Sequence, residues 1–229
     1  RSIDDIFAIA TYDYWQYGIG TAEEFYNELL GSTEAKKRQY LTFRGRFDYI
    51  DQLNKKEDLH LLRNKWHSYL LLKDAYKREV LLLEDEQDLP AFEAFCHRHP
   101  AFVAKPVGLG GSEGVHKVEV GDADIHTLLN KLLAEAEETN SRFNTVIDKC
   151  VLVEEVIAQG EEMAVLHPAS VNSVRMTTIN MGDGDIRMWY PVVRIGVGGN
   201  FLSSGAVGSI VAGINMCTGI TETLGSDEW

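Results

Sequence analysis

The chain of 229 residues is long enough for one large domain or two small ones, and 45% hydrophobic with 25% charged residues is a folded globular composition. Its 22 Lys and Arg stand against 35 Asp and Glu, a formal net charge of −13, which argues against a general nucleic-acid binder because phosphate affinity needs concentrated positive charge. No apolar run approaches the roughly 20 residues that span a bilayer, and the opening residues do not read as a signal peptide.

The first third is helical in pattern. Ile6, Phe7, Ile9 and Ala10 recur at helical spacing, and Phe25, Tyr26, Leu29 and Leu30 do so within a helix expected over Ala22 to Leu30, with Thr21 as N-cap and Gly31 as C-cap. A basic stretch follows, Lys36-Lys37-Arg38 with Arg44 and Arg46, and reads first as a solvated helix face, with an anion-facing patch as the alternative. Asn64-Lys65-Trp66 opens a helix expected to reach about Tyr76. Val80 to Leu83 is a short apolar run, Leu89 to His97 a short helix, and Phe102 to Lys105 a strand. Val115 to Val120 alternates strictly, which predicts a strand with one buried face. A charged helix is expected over Ala123 to Glu138, then a strand over Cys150 to Ile157 and a Gln159-Gly160 turn. Ser173 to Met181 and Ile186 to Val197 flank Gly182-Asp183-Gly184-Asp185, a strong hairpin signal, and Ser209 to Ile214 adds another strand. Helices first and strands after predict an α+β architecture. Cys96, Cys150 and Cys217 lie far apart and read as reduced thiols of a cytoplasmic protein, neither a disulfide framework nor a zinc site. His97 and His99 have a metal-like spacing without an evident third ligand, and they and His167 read as structural or solvated.

The chemistry concentrates in Ala104-Lys105-Pro106-Val107-Gly108-Leu109-Gly110-Gly111-Ser112-Glu113-Gly114-Val115. Glycines let backbone N–H groups close around phosphate oxygens, and a neighbouring lysine supplies positive charge. A Walker A loop would need Gly-Lys-Ser/Thr opening a helix, and no such tripeptide is present. A Rossmann fingerprint also opens a helix, whereas a strand follows here. A protein kinase would place its lysine after the loop.

Four stretches, in order, resemble the ATP-grasp enzymes and more narrowly the sugar-transfer-associated group found near polysaccharide biosynthesis genes. They are Asn64-Lys65-Trp66; Lys105-Pro106 with the glycine loop; Val153-Glu154-Glu155-Val156-Ile157 with Glu161-Glu162; and Ser170-Val171-Asn172-Ser173-Val174-Arg175. The resemblance implies two α+β subdomains gripping ATP, a lid over 64–150 and a base over 151–229, after a helical region over 1–63. It implies that Lys65 and Lys105 neutralise the nucleotide phosphates and that Gly110, Gly111, Ser112 and Gly114 form a flap. Glu154, Glu155, Val156 and Ile157 would be the hinge meeting the adenine edge, and Glu161 or Glu162, with Glu162 preferred, would take the ribose hydroxyls. Arg175 would hold a γ-phosphate or acyl-phosphate, Asn172 would serve the same centre, and Arg194 would be a second candidate there. Without the resemblance, Lys65 reads as an ordinary surface-helix lysine. Glu154 and Glu155 then read equally as exposed strand-end charges, and Arg175 as half of a surface ion pair.

The match departs at Leu202-Ser203-Ser204-Gly205-Ala206-Val207-Gly208-Ser209-Ile210, where relatives carry Asp-Asn before Gly-Gly-Ile, and at Asn215, where an amide replaces a carboxylate. The acidic strand and Glu-x-Asn that hold Mg²⁺ in ATP-grasp enzymes are not found between Gly219 and Trp229. With a start at Arg1 and a stop at Trp229, the sequence reads as a piece of something longer. The expected function is an ATP-dependent carboxylate–amine ligase using ATP and Mg²⁺, working through an acyl-phosphate on a small carboxylate, with a sugar acid or glycan precursor implied. Two alternatives stay open: a nucleotide-binding scaffold without turnover, and a small-molecule kinase on the same scaffold.

Overall fold

A computed structural model of the chain describes residues 2–142, 150–204, 208–223 and 225–227. The chain divides into two units, Arg1–His60 and Leu61–Trp229.

The N-terminal unit contains α1 (Ile3–Tyr17), α2 (Thr21–Tyr26), α3 (Glu34–Gln39) and α4 (Gly45–Leu53). Ser2 starts α1 through a capping box with Asp5. The second helix differs from the expectation at both ends. Gly20, not Thr21, is the N-cap, its N–H donating to Glu23 Oε2 at 2.8 Å, and the helix stops at Tyr26 instead of running to Gly31. Burial of Leu29 turns the chain inward there, and the N–H groups of Leu29 and Leu30 both donate to the Glu24 carbonyl. The basic stretch is not uniformly solvated: Lys37 is buried and pairs with the buried Asp13 of α1.

A short helix α5 (Leu59–Arg63) runs across the boundary, and the C-terminal unit continues with α6 (Lys65–Leu72), β1 (Val80–Leu83), α7 (Leu89–Arg98), β2 (Ala101–Pro106), β3 (His116–Glu119), α8 (Ile125–Arg142) and β4 (Val151–Glu155). The four strands form an antiparallel sheet in the order β1-β4-β2-β3. Alternation along β2 sends Phe102, Ala104 and Pro106 to a buried face and leaves Val103 and Lys105 partly covered on the other. Phe102, Ala104, Val151 and Val153 pack with Phe92 and Phe95 of α7 and Leu129, Leu132 and Ala136 of α8. Phe92 and Phe95 each meet Phe102 edge-on, at 5.7 and 5.8 Å between ring centres, and burying each ring contributes about 2 kcal/mol. The helices cover one face of the sheet and leave the other to Lys105 and Glu154.

Beyond β4, a helix unexpected from the sequence, α9 (Glu161–Ala164), follows the Gln159-Gly160 turn. A second antiparallel sheet then runs in the order β5-β6-β7-β8, from β5 (Ser173–Asn180), β6 (Ile186–Ile195), β7 (Ile210–Gly213) and β8 (Ser226–Asp227). The 182–185 turn closes the β5–β6 hairpin, with Asp185 N–H donating to the Gly182 carbonyl at 2.9 Å. No helix among the described residues is long and apolar enough to cross a membrane.

Candidate functional site

The site is built on the face of the first sheet opposite α7 and α8, where Leu152 and Glu154 are also buried. The β2–β4 register pairs Val103 with Glu154 and Lys105 with Leu152, which makes Lys105 and Glu154 diagonal neighbours on that face. Lys105 Nζ lies 2.5 Å from Glu154 Oε1, and Arg78, just before β1, donates from Nε to Glu154 Oε2 at 3.0 Å. Glu154 is therefore a buried carboxylate held by two cations, not the exposed strand-end charge of the plainer sequence reading. Burial lowers the Lys105 pKa, and Glu154 opposes the shift.

Lys65 comes to the same place from α6. Asn64 caps that helix, its Oδ1 accepting from the N–H groups of Trp66 (2.9 Å) and His67 (3.2 Å). The Lys65 N–H donates to the Val107 carbonyl at 2.8 Å, and its ammonium donates to the carbonyls of Pro106 (2.7 Å) and Leu109. Lys65 is thus no free surface lysine; its charge is set against the first turn of the glycine loop. Burial first, and the Lys105 charge second, bring its pKa down to about 8.

The glycine loop is a compact turn after β2. Glu113 N–H donates to the Gly110 carbonyl at 3.1 Å and Val115 N–H to the Ser112 carbonyl at 3.2 Å. Gly111 has open space where a Cβ would stand, but its φ of 62° favours glycine all the same. Ser112 holds a φ of 67° and donates its hydroxyl to Ser204 Oγ at 2.8 Å, tying the loop to the segment after β6. Gly110 is exposed and Gly114 partly covered. Residues 205–207, within the departing Leu202–Ile210 stretch, lie outside the described residues, as do 228 and 229 at the chain end.

The strand carrying Glu154 ends at Glu155, so Val156 and Ile157 lie just past it, the first partly buried and the second exposed. Glu155 is anchored to Glu79 twice, its N–H donating to the Glu79 carbonyl and its carboxylate accepting the Glu79 N–H, both at 3.0 Å. Glu161 and Glu162 are both exposed in the first turn of α9.

On the second sheet, Ser173 pairs with Arg194 and Arg175 with Val192, so Arg175 and Arg194 share one face. Arg175 is exposed and Arg194 partly buried. Asn172 does not join them. It is buried, its amide donating to the carbonyls of Met163 (2.8 Å) and His167 (3.0 Å) while its Oδ1 accepts the Gly196 N–H at 3.0 Å. That geometry makes it a tie between the α9 region and the end of β6. His167 extends the tie, with Nδ1 3.0 Å from Ser170 Oγ and Nε2 donating to the Gly198 carbonyl at 2.8 Å.

Two residues escaped sequence reasoning. Arg78 reaches Glu154 only through the β1–β4 pairing, a contact across 76 positions. Glu222 places a carboxylate where Asn215 lacks one, accepting from Asn215 Nδ2 and from the Tyr190 hydroxyl at 2.9 Å. Those two hydrogen bonds hold its carboxyl below the usual range. His99 stands against Glu79, Nε2 to Oε2 2.8 Å, beside Arg98. Among the described residues no group of three or more His, Cys, Asp or Glu could hold a metal ion.

The two antiparallel sheets thus carry a lysine-flanked glycine loop on the first, and Arg175 and Arg194 on one face of the second. The family model described as sugar-transfer associated ATP-grasp matches residues 44–228, and the chain belongs to that family. Among solved structures it is similar to D-alanyl-alanine synthetase A from Vibrio cholerae, at 16% identity and a TM-score of 0.41 over 62% of this chain and 36% of that one. It is also similar to the D-alanine-D-alanine ligases of Helicobacter pylori (22% identity, TM-score 0.38, 57% of this chain and 32% of that) and Coxiella burnetii (12%, 0.38, 73% and 47%). The chain spans less than half the length of each of these structures. A search of curated proteins returned no match.

Proposed function

We propose that this chain carries the nucleotide-gripping part of an ATP-dependent carboxylate–amine ligase. The observation that supports it most strongly is the placing of Lys65 and Lys105 beside the glycine loop, two partly buried ammonium groups of which the Lys105 charge lowers the Lys65 pKa. Such a pair is unfavourable alone and is relieved by a polyanion, which is what a nucleotide's phosphates supply. In this reading Lys65 and Lys105 neutralise the phosphates, and Gly110, Gly111, Ser112 and Gly114 cover them. Backbone groups at Glu155, Val156 and Ile157 meet the adenine edge, and Glu162, or Glu161 beside it, takes the ribose. Glu154 acts through Lys105, and Asn172 acts through the loop it ties, as positioning residues.

Arg175 and Arg194 hold the transferring phosphate bidentately. The substrate carboxylate attacks the γ-phosphorus, ADP leaves, and an amine then displaces phosphate from the acyl-phosphate. Proximity and charge neutralisation are the sources of rate. Family membership supports a sugar acid or glycan precursor as the carboxylate. ATP fits the cationic face; no described cluster fits Mg²⁺ as a protein-held ion, and no residue here is assigned to it.

Incubation with ATP, candidate sugar acids and hydroxylamine tests the reading. Trapped hydroxamate with stoichiometric ADP supports the acyl-phosphate. A stable phosphorylated alcohol would identify a kinase instead, and ATP binding without ADP release a scaffold.

A further inference from the structure

Glu154 is unusual in having a separate cation for each carboxylate oxygen. Lys105 Nζ stands 2.5 Å from Oε1 and Arg78 Nε 3.0 Å from Oε2, while the Glu154 side chain is only 6% exposed. Arg78 is itself steadied, its guanidinium lying 4.3 Å from the centre of the Tyr76 ring. Its place follows from register, since Val80, two residues on, pairs with Glu154. The charged groups around the carboxylate are Lys105 from β2, Arg78 ahead of β1 and, further off, Lys65 from α6.

A lysine meant for a phosphate is here tied to a carboxylate. If Lys105 were the sole partner of Glu154, its departure would strand a buried negative charge, a strongly unfavourable state. We propose that Arg78 is the second counter-ion of Glu154, whose role is to keep that carboxylate paired when Lys105 turns to the nucleotide phosphates. The inference rests on the reading of this face as the ATP site. Arg78 is then a positioning residue that never touches the nucleotide: it sets how easily Lys105 can leave. A guanidinium suits the task because it stays charged and binds one carboxylate oxygen in fixed geometry.

The test is calorimetric titration of the chain with ATP at pH 7. Arg78→Gln should weaken ATP binding about tenfold or more, because Lys105 can then leave only by stranding Glu154. Arg78→Lys should restore most of the affinity. The double variant Arg78→Gln, Glu154→Gln should bind more tightly than Arg78→Gln alone, which a merely structural role for Arg78 does not produce. Unchanged affinity in Arg78→Gln, with ATP bound normally by the unaltered chain, would overturn the proposal alone. A double variant no better than the single one would also overturn it. Failure of the unaltered chain to bind ATP would overturn the reading of the face itself, and the proposal with it.

Discussion

The Lys65 ammonium donates to the Pro106 carbonyl at 2.7 Å, so a helix-borne lysine grips the strand end one residue beyond Lys105. Two cations from elements 40 positions apart in sequence are thereby fixed beside the same glycine loop. The arrangement costs stability in the free chain, and on the proposed reading a bound polyphosphate offsets that cost.

A pH dependence follows from this pairing. Burial and Lys105 hold Lys65 at about 8, so below that pH it is charged in the free chain. Above it, on the proposed reading, ATP must draw a proton onto Lys65 to bind, because the phosphates favour the ammonium form. ATP affinity should therefore fall as pH rises through 8, by up to about tenfold per pH unit for one linked proton. Titrations between pH 7 and 9.5 should reveal the fall, and Lys65→Gln should bind more weakly but without that step. A flat profile for the unaltered chain would contradict the shift.

Asn172 carries a structural prediction. Asn172→Ala leaves the Gly196 N–H and the Met163 and His167 carbonyls without their amide partner, a loss of about 3 kcal/mol. Gly196→Ala should be comparably harmful, because an added Cβ would overlap the Ser170 side chain and crowd His167. Urea unfolding should place both midpoints well below that of the unaltered chain, and an unchanged midpoint for Asn172→Ala would refute its role as a tie.

Sequence and structure agree where the signal is local. Asn64 before Lys65 is a cap, Lys105 before the glycines is a strand end, and Asp-Gly between alternating runs is a hairpin, all decided by residues a few positions apart. The α2 terminus was illegible because burial of Leu29, a tertiary event, stops that helix before Gly31. Arg78 and Glu154 meet across 76 positions through strand pairing, for which the sequence carries no local sign. Asn172 looked available for chemistry, since nothing nearby in sequence reveals that Gly196 occupies its oxygen. Lys37 looked solvated until Asp13 met it from another helix.

The N-terminal unit holds a titrating group of its own. Glu24 is buried, and burial first and the neighbouring Asp13 second push it up to about 7, with Lys37 opposing and Glu23 adding slightly. A raised carboxyl binds its proton more tightly in the folded chain than in the unfolded one. Its contribution to stability is thus full below pH 4.5 and is lost as pH rises through 7. Thermal unfolding should occur at lower temperature at pH 8 than at pH 5.5. Glu24→Gln should raise the midpoint at pH 8 and flatten that difference; a variant with the original slope would show that other groups set it.

The central claim, that Lys65 and Lys105 together form the phosphate site, is tested most directly by titrating ATP into the unaltered chain, Lys65→Ala and Lys105→Ala at pH 7. Each single variant should bind about tenfold or more weakly, since each removes a charge-assisted contact worth about 1.5–3 kcal/mol. ATP binding by the unaltered chain that neither substitution weakens would place the nucleotide elsewhere and contradict the account.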